Sequence, residues 1–219
     1  CNQTPKYNVL KSVVGFFHNK KKIALGLGSG FPLDYNYIES FDYLFDYWKD
    51  FDFISTRDSI CSYVLSKAGI NSYSTFCTSA FYPYYSKKMV SENKPTLVFY
   101  NPKTWGHSLY LSEKYLQSYV EFQVNFINEY DPNILVIDSS EMKFINNLGK
   151  TCYKVSNHKD VISKLSTSSF VVSGRIHSAI PSRMMNIPTY ILPVDSRWNT
   201  VINFGITPIL NFELNYPFP

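Results

Sequence analysis

A chain of 219 residues with 45% hydrophobic and 17% charged residues has the composition of an ordinary globular protein, not a disordered one, with length for one large core or two small ones. Its net charge of +4 is spread thinly, without an Arg-rich stripe or zinc-finger spacing, which argues against a nucleic-acid partner. The four cysteines, Cys1, Cys61, Cys77 and Cys152, have no regular spacing, which argues against a disulfide framework or a structural zinc site and fits a reducing, cytoplasmic compartment.

No apolar run is long enough to span a bilayer. The start at Cys1 instead of Met fits a trimmed chain and leaves room for a removed N-terminal anchor. Residues 1–22 carry little pattern. Organisation begins with a strand from Lys22 into three alternating glycines, Gly26, Gly28 and Gly30, around Ser29. Glycine permits positive φ and close backbone approach to a ligand, so Gly28, Ser29 and Gly30 are candidate binding residues, with a purely structural turn as the alternative. The pattern lacks the later glycine of the dinucleotide fingerprint, and Pro32 follows at once, which argues against NAD or FAD. Aromatic residues at helical spacing predict an amphipathic helix over 37–48. A strand follows over 52–58, with Arg57 and Asp58 at its carboxyl end, then a helix over 59–68 stopped by Gly69, and a short extended piece over 73–81.

Residues 82–95, with Pro83 and Pro95, read as a linker, so the expected domains are 1–90 and 91–219. Beyond it, strands are predicted at 96–100, 134–137, 152–155, 170–172 and 189–192. Helices are predicted at 109–130, 140–148, 160–165 and 178–185, with a last helical turn at 198–204. Strands alternating with helices give an α/β fold with parallel, doubly wound sheets, here two Rossmann-like blocks. Ligand contacts are then expected at the carboxyl ends of strands, in the cleft between the blocks.

The stretch with the most chemistry is Val172-Ser173-Gly174-Arg175-Ile176-His177-Ser178, where a buried-looking strand breaks and a helix is expected from Ser178. A helix N-terminus is an anion site, and a guanidinium with an imidazole there suggests phosphate or carboxylate chemistry. A lone Arg-x-His is more often a capping arginine beside a packed histidine. Arginine is scarce here, however. The A/T-rich-codon bias that raises Tyr to 18 and Phe to 17 leaves four arginines, Arg57, Arg175, Arg183 and Arg197, and two of them end strands.

Taken together, residues 22–206 resemble the polysaccharide pyruvyl transferase family. The resemblance lies in the strand into the glycine loop (Ala24 to Gly30), the strand ending in Arg57-Asp58, and the helix before Gly69. It continues in the Ser173-x-Arg175-x-His177 element, followed by a helix and the proline-led strand Pro188 to Leu192. It implies a two-domain fold similar to GT-B glycosyltransferases, with the N-terminal domain incomplete because the family's opening strand is missing. Residues 77–81 depart from the family's pattern, and Arg197 lies near where a lysine is often seen.

The resemblance further implies phosphoenolpyruvate as donor, a sugar or polysaccharide diol as acceptor, a pyruvate ketal as product, and cell-surface glycan biosynthesis as the setting. Arg57, Arg175 and His177 match the residues such enzymes place around the transferred donor. Guanidiniums suit its oxyanions and an imidazole suits the acid/base step, while the helix N-terminus at Ser178, with Ser173 ahead of it, would add backbone donors. No cofactor and no metal are expected. Asn101, Lys103, Trp105 and His107, in the loop after the first strand of the second block, are candidate acceptor contacts; a surface turn is the alternative. Two rival readings stand beside this one. The first is a GT-B glycosyltransferase using a nucleotide sugar. The second is a non-catalytic carbohydrate-binding relative.

Overall fold

The computed structural model describes residues 20–28, 48–75, 77, 79–81, 94–104, 111–212 and 218. The helix expected over 37–48 lies outside them except for Trp48, and the expected domain boundary at 90/91 lies outside them altogether. Contacts within the chain divide it into two compact units; the described residues up to Thr75 fall in the first and those from Cys77 in the second.

The first unit carries a parallel sheet in the order β1 (Ile23–Leu27), β2 (Phe53–Thr56), β3 (Tyr73–Ser74). Helix α1 (Ser59–Lys67) connects β2 to β3. It starts where it does because the Asp58 carboxylate accepts from the Cys61 N–H at 2.7 Å, satisfying a first-turn donor that the helix itself cannot. Val64, Leu65, Ile54 and Ile70 are buried in this unit.

The second unit is a six-stranded, all-parallel sheet. Its strands are β4 (Thr96–Val98), β5 (Asn133–Val136), β6 (Tyr153–Lys154), β7 (Val171–Ser173), β8 (Thr189–Ile191) and β9 (Thr207–Pro208), in the spatial order β6-β5-β4-β7-β8-β9. The connecting helices are α2 (Glu113–Tyr130), α3 (Ser139–Asn147), α4 (His158–Leu165), α5 (Ile176–Met184) and the short α6 (Asn199–Ile202). β4 and β7 are buried along their whole length, as central strands of a parallel sheet must be.

The long α2 presents Leu116, Tyr119, Phe122, Phe126 and Ile127 inward. Burying rings such as Phe122 and Phe126 contributes roughly 1.5–3 kcal/mol each. Among these apolar groups sits one buried amide, Gln123. Phe218 returns near the chain's end to stack on Phe170, with ring centres 5.4 Å apart. Among the described residues no helix is long and apolar enough to cross a membrane.

Two local expectations are corrected. The helix after β7 begins at Ile176, not Ser178, because the Ser173 hydroxyl closes the turn early: it accepts from the Arg175 N–H at 3.0 Å and donates to the Arg175 carbonyl at 2.9 Å. The two-residue β9, which pairs with β8, was not expected at all.

Candidate functional site

The strand order places a topological switch point between β4 and β7. The chain leaves β4 toward β5 on one side and leaves β7 toward β8 on the other, so the segments after these two strands line the crevice at their carboxyl ends. The residues there are Tyr100 and Arg175. The Arg175 guanidinium carbon lies 4.5 Å from the centre of the Tyr100 ring, a cation–π stack.

Tyr100 is held by Gln123 of α2. The Tyr100 N–H donates to Gln123 Oε1 at 3.0 Å, and Gln123 Nε2 donates to the Tyr100 carbonyl at 3.0 Å. A side chain that satisfies both backbone groups of one residue explains the buried amide in an otherwise apolar helix face. Gly174 is small of necessity, since a Cβ there would lie 2.4 Å from Tyr100 Cβ and 2.3 Å from the Tyr119 hydroxyl.

Arg175 is also gripped from the helix after β5. Its Nη2 donates to both carboxylate oxygens of Glu141, at 2.8 and 3.1 Å. The Glu141 side chain is fully buried and the Arg175 side chain is 13% exposed. Glu141 is the third residue of α3 and completes a capping box with Asp138. Its oxygens also accept from the N–H groups of Asn101, Ile137 and Asp138 at 3.2–3.3 Å. One buried carboxylate thus joins the loop after β4, the end of β5 and the arginine after β7.

A second pair repeats the arrangement after β8. Arg197 Nε donates to both oxygens of Asp195, at 2.8 and 2.7 Å, and Arg197 also hydrogen-bonds the Tyr100 phenol. Asp195 is buried. Burial works against the Arg197 charge, but Asp195 and Tyr100 outweigh it and hold its pKa above the ordinary arginine value. Burial pushes the Tyr100 phenol up to about 12, against the pull of Arg197 and Arg175. The cluster of Arg175, Arg197, Glu141 and Asp195 is therefore balanced in formal charge, with its two guanidiniums meeting on one aromatic ring.

The expected site residues divide accordingly. Arg175 is at the switch point, and His177 is exposed in the first turn of α5. Ser173 is fully buried and its hydroxyl is engaged in the turn. Ser178 is buried too, and its N–H donates to the Arg175 carbonyl at 3.1 Å, so the expectation that Ser178 opens the helix with outward-facing backbone donors is corrected.

Asn101 accepts from the Lys103 N–H through its side chain, and the exposed Lys103 ammonium pairs with Glu113. Trp105, His107, Ser29 and Gly30 lie outside the described residues. Glu141, Asp195, Tyr100 and Gln123 were not singled out from the sequence. The Asp138-x-x-Glu141 capping signature was the one readable signal among them. Among the described residues no group of three His, Cys, Asp or Glu side chains is placed to hold a metal ion.

In the first unit Gly28 and Arg57 are brought together. Leu27 and Thr56 are register partners, and the Arg57 N–H donates to the Leu27 carbonyl at 2.8 Å. A Cβ at Gly28 would lie 2.1 Å from Arg57 Nε, so the glycine makes room for the guanidinium. Asp58 next door is spent on capping α1.

A family model described as polysaccharide pyruvyl transferase matches residues 5–196. No curated protein matches the chain. Among solved structures, the crystal structure of Methanocaldococcus jannaschii UDP-GlcNAc 2-epimerase in complex with UDP-GlcNAc and UDP is similar, with a TM-score of 0.55 at 11% identity. That likeness covers 75% of this chain and 51% of the epimerase chain, so this chain spans about half the epimerase's length. At such low identity the likeness shows the fold alone, an α/β fold of parallel sheets like that of a GT-B protein. With the family model covering residues 5–196, the chain belongs to the polysaccharide pyruvyl transferase family.

Proposed function

We propose that this chain works as a pyruvyl transferase that moves the enolpyruvyl group of phosphoenolpyruvate onto two hydroxyls of a sugar or polysaccharide acceptor, in cell-surface glycan biosynthesis. The observation that carries the reading is Arg175, stacked on Tyr100 and held by Glu141 at the β4–β7 switch point, with His177 exposed two residues later. Family membership supports the same reaction class.

The donor carries a phosphate and a carboxylate, and a guanidinium offers such oxyanions a planar fork of donors. Arg175 binds a donor oxyanion and stabilises the departing phosphate. The reaction adds one proton to the donor's methylene carbon, which becomes the ketal methyl group. Both acceptor hydroxyls add to the neighbouring carbon and lose their protons, and its bond to phosphate breaks. One of the two hydroxyl protons balances the carbon protonation and the other leaves with inorganic phosphate. His177 is the acid/base that moves a proton, a role open to imidazole near neutral pH. The scheme uses no metal and no cofactor. Acceptor contacts are assigned to the loop that carries Asn101, Lys103, Trp105 and His107.

The test is phosphate release from phosphoenolpyruvate with a galactoside acceptor, beside a parallel arm with a nucleotide sugar. His177→Ala is expected to slow turnover by roughly a hundredfold to ten-thousandfold with donor affinity nearly kept. Unchanged turnover in His177→Ala removes the acid/base assignment. Binding of a nucleotide sugar without any response to phosphoenolpyruvate replaces the reading with a glycosyltransferase.

A further inference from the structure

We infer that Tyr100 is a positioning residue that sets the Arg175 and Arg197 guanidiniums as a single array at the ends of β7 and β8. Its functional arm rests on the proposed donor-binding role of Arg175; its structural arm does not.

Every part of Tyr100 has a separate task. Its N–H and its carbonyl are both bonded to Gln123, so the backbone cannot rotate without breaking two buried hydrogen bonds. Its Cβ packs where only a glycine at 174 leaves space. Its ring face lies under Arg175, and its edge meets Tyr119 in a T-shaped contact with ring centres 6.5 Å apart. Its hydroxyl bonds Arg197, which Asp195 orients from the far side.

A residue that only filled the core would need no hydroxyl at this place, and a phenylalanine would serve. The phenol makes sense if the second guanidinium must be placed relative to the first. Two planar forks fixed on one rigid ring match a ligand carrying two oxyanions at a set separation, and they penalise a ligand carrying one. The buried carboxylates fix each arginine on its own side; Tyr100 touches both. This positioning lowers the entropy lost when a ligand binds, since neither long side chain has to be ordered at that moment.

The experiment uses the full chain with Tyr100→Phe, Tyr100→Leu, Arg197→Ala and the double variant Tyr100→Phe/Arg197→Ala. Phosphoenolpyruvate affinity is measured by calorimetry, and the Arg175 side-chain N–H signal is followed by NMR. Tyr100→Phe keeps the ring and its packing. It is expected to retain the ring-current shift of Arg175 and to weaken binding about tenfold, the loss of one hydrogen bond to a charged group. Adding Arg197→Ala to it is expected to cost no more than Arg197→Ala alone, because the phenol acts through that arginine. Tyr100→Leu is expected to abolish the ring-current shift and weaken binding further.

Additive effects of Tyr100→Phe and Arg197→Ala, or an Arg175 shift that survives in Tyr100→Leu, overturn the inference. If Tyr100→Leu does not fold, the Tyr100→Phe cycle decides alone. Wild-type protein that shows the Arg175 shift but binds no phosphoenolpyruvate refutes the donor reading while leaving the Tyr100–Arg175 placement established by NMR.

Discussion

Arg175 Nη2 donates to both oxygens of Glu141, at 2.8 and 3.1 Å, and Glu141 is sealed from solvent. The pair is separated by 34 residues and joins two neighbours of β4 in the sheet, so it links the candidate site to the fold itself. Placing two charges in the interior is costly, and the pair is tolerable because Glu141 also receives three backbone N–H groups. Glu141→Gln keeps an acceptor for the capping box but removes the countercharge. It is expected to destabilise the protein by about 3 kcal/mol, the lower end for breaking a buried pair. Urea unfolding checks this, and a change under 1 kcal/mol would mean that the pair is incidental.

The two glycines beside the arginines separate stability from ligand contact. Gly174→Ala drives a methyl group against the Tyr100 Cβ and the Tyr119 hydroxyl, both fixed by packing. The expected cost is roughly 1–3 kcal/mol, as for other overpacked cores. The nearest atoms that Gly28→Ala meets are those of the Arg57 guanidinium, the far end of a flexible side chain. It is expected to leave the unfolding midpoint nearly unchanged while lowering any activity that depends on Arg57. Equal losses of stability in the two variants would contradict this distinction.

Alkaline pH should act through the phenols of the second unit. Burial pushes Tyr100 and Tyr115 up to about 12, and it raises the fully buried Tyr119 as well. In the unfolded chain these phenols ionise near 10. Between the two values the folded chain keeps protons that the unfolded chain has lost, so stability falls as pH rises. The contribution is whole below pH ~10 and is lost as pH rises through ~12. Urea midpoints measured across this window should decline, and Tyr100→Phe should decline less. Asp138 has the opposite sign. Hydrogen bonds from Ser140 hold its carboxyl below the ordinary value, so its contribution is present at neutral pH and is lost on acidification.

Hydrophobic periodicity and glycine punctuation made the strands and helices legible, because those patterns are local. The strand–turn–helix at Ser173 to His177 was legible for the same reason, whereas the close approach of Gly28 to Arg57 was not read from the sequence. The start of α5 was misplaced by two residues because the Ser173 hydroxyl bridges the Arg175 backbone, a contact that no propensity encodes. The partners of Arg175 were not legible. Tyr100, Glu141 and the Gln123 that holds Tyr100 come from three different elements, and the β6-β5-β4-β7-β8-β9 strand order, not sequence spacing, brings them together. Asp195 is near Arg197 in sequence, but its significance depends on the shared contact with Tyr100.

The central claim is that the arginine at the β4–β7 switch point binds the oxyanions of phosphoenolpyruvate. Calorimetric titration of that donor into the wild type, Arg175→Ala and Arg175→Lys tests it most directly, with thermal unfolding of each variant to confirm folding. The account predicts saturable binding by the wild type. Arg175→Ala should weaken it by roughly 1.5–3 kcal/mol, about one to two decades, and Arg175→Lys should recover only part, because a point charge cannot reproduce a planar fork. Folded Arg175→Ala protein that binds phosphoenolpyruvate as tightly as the wild type would contradict it.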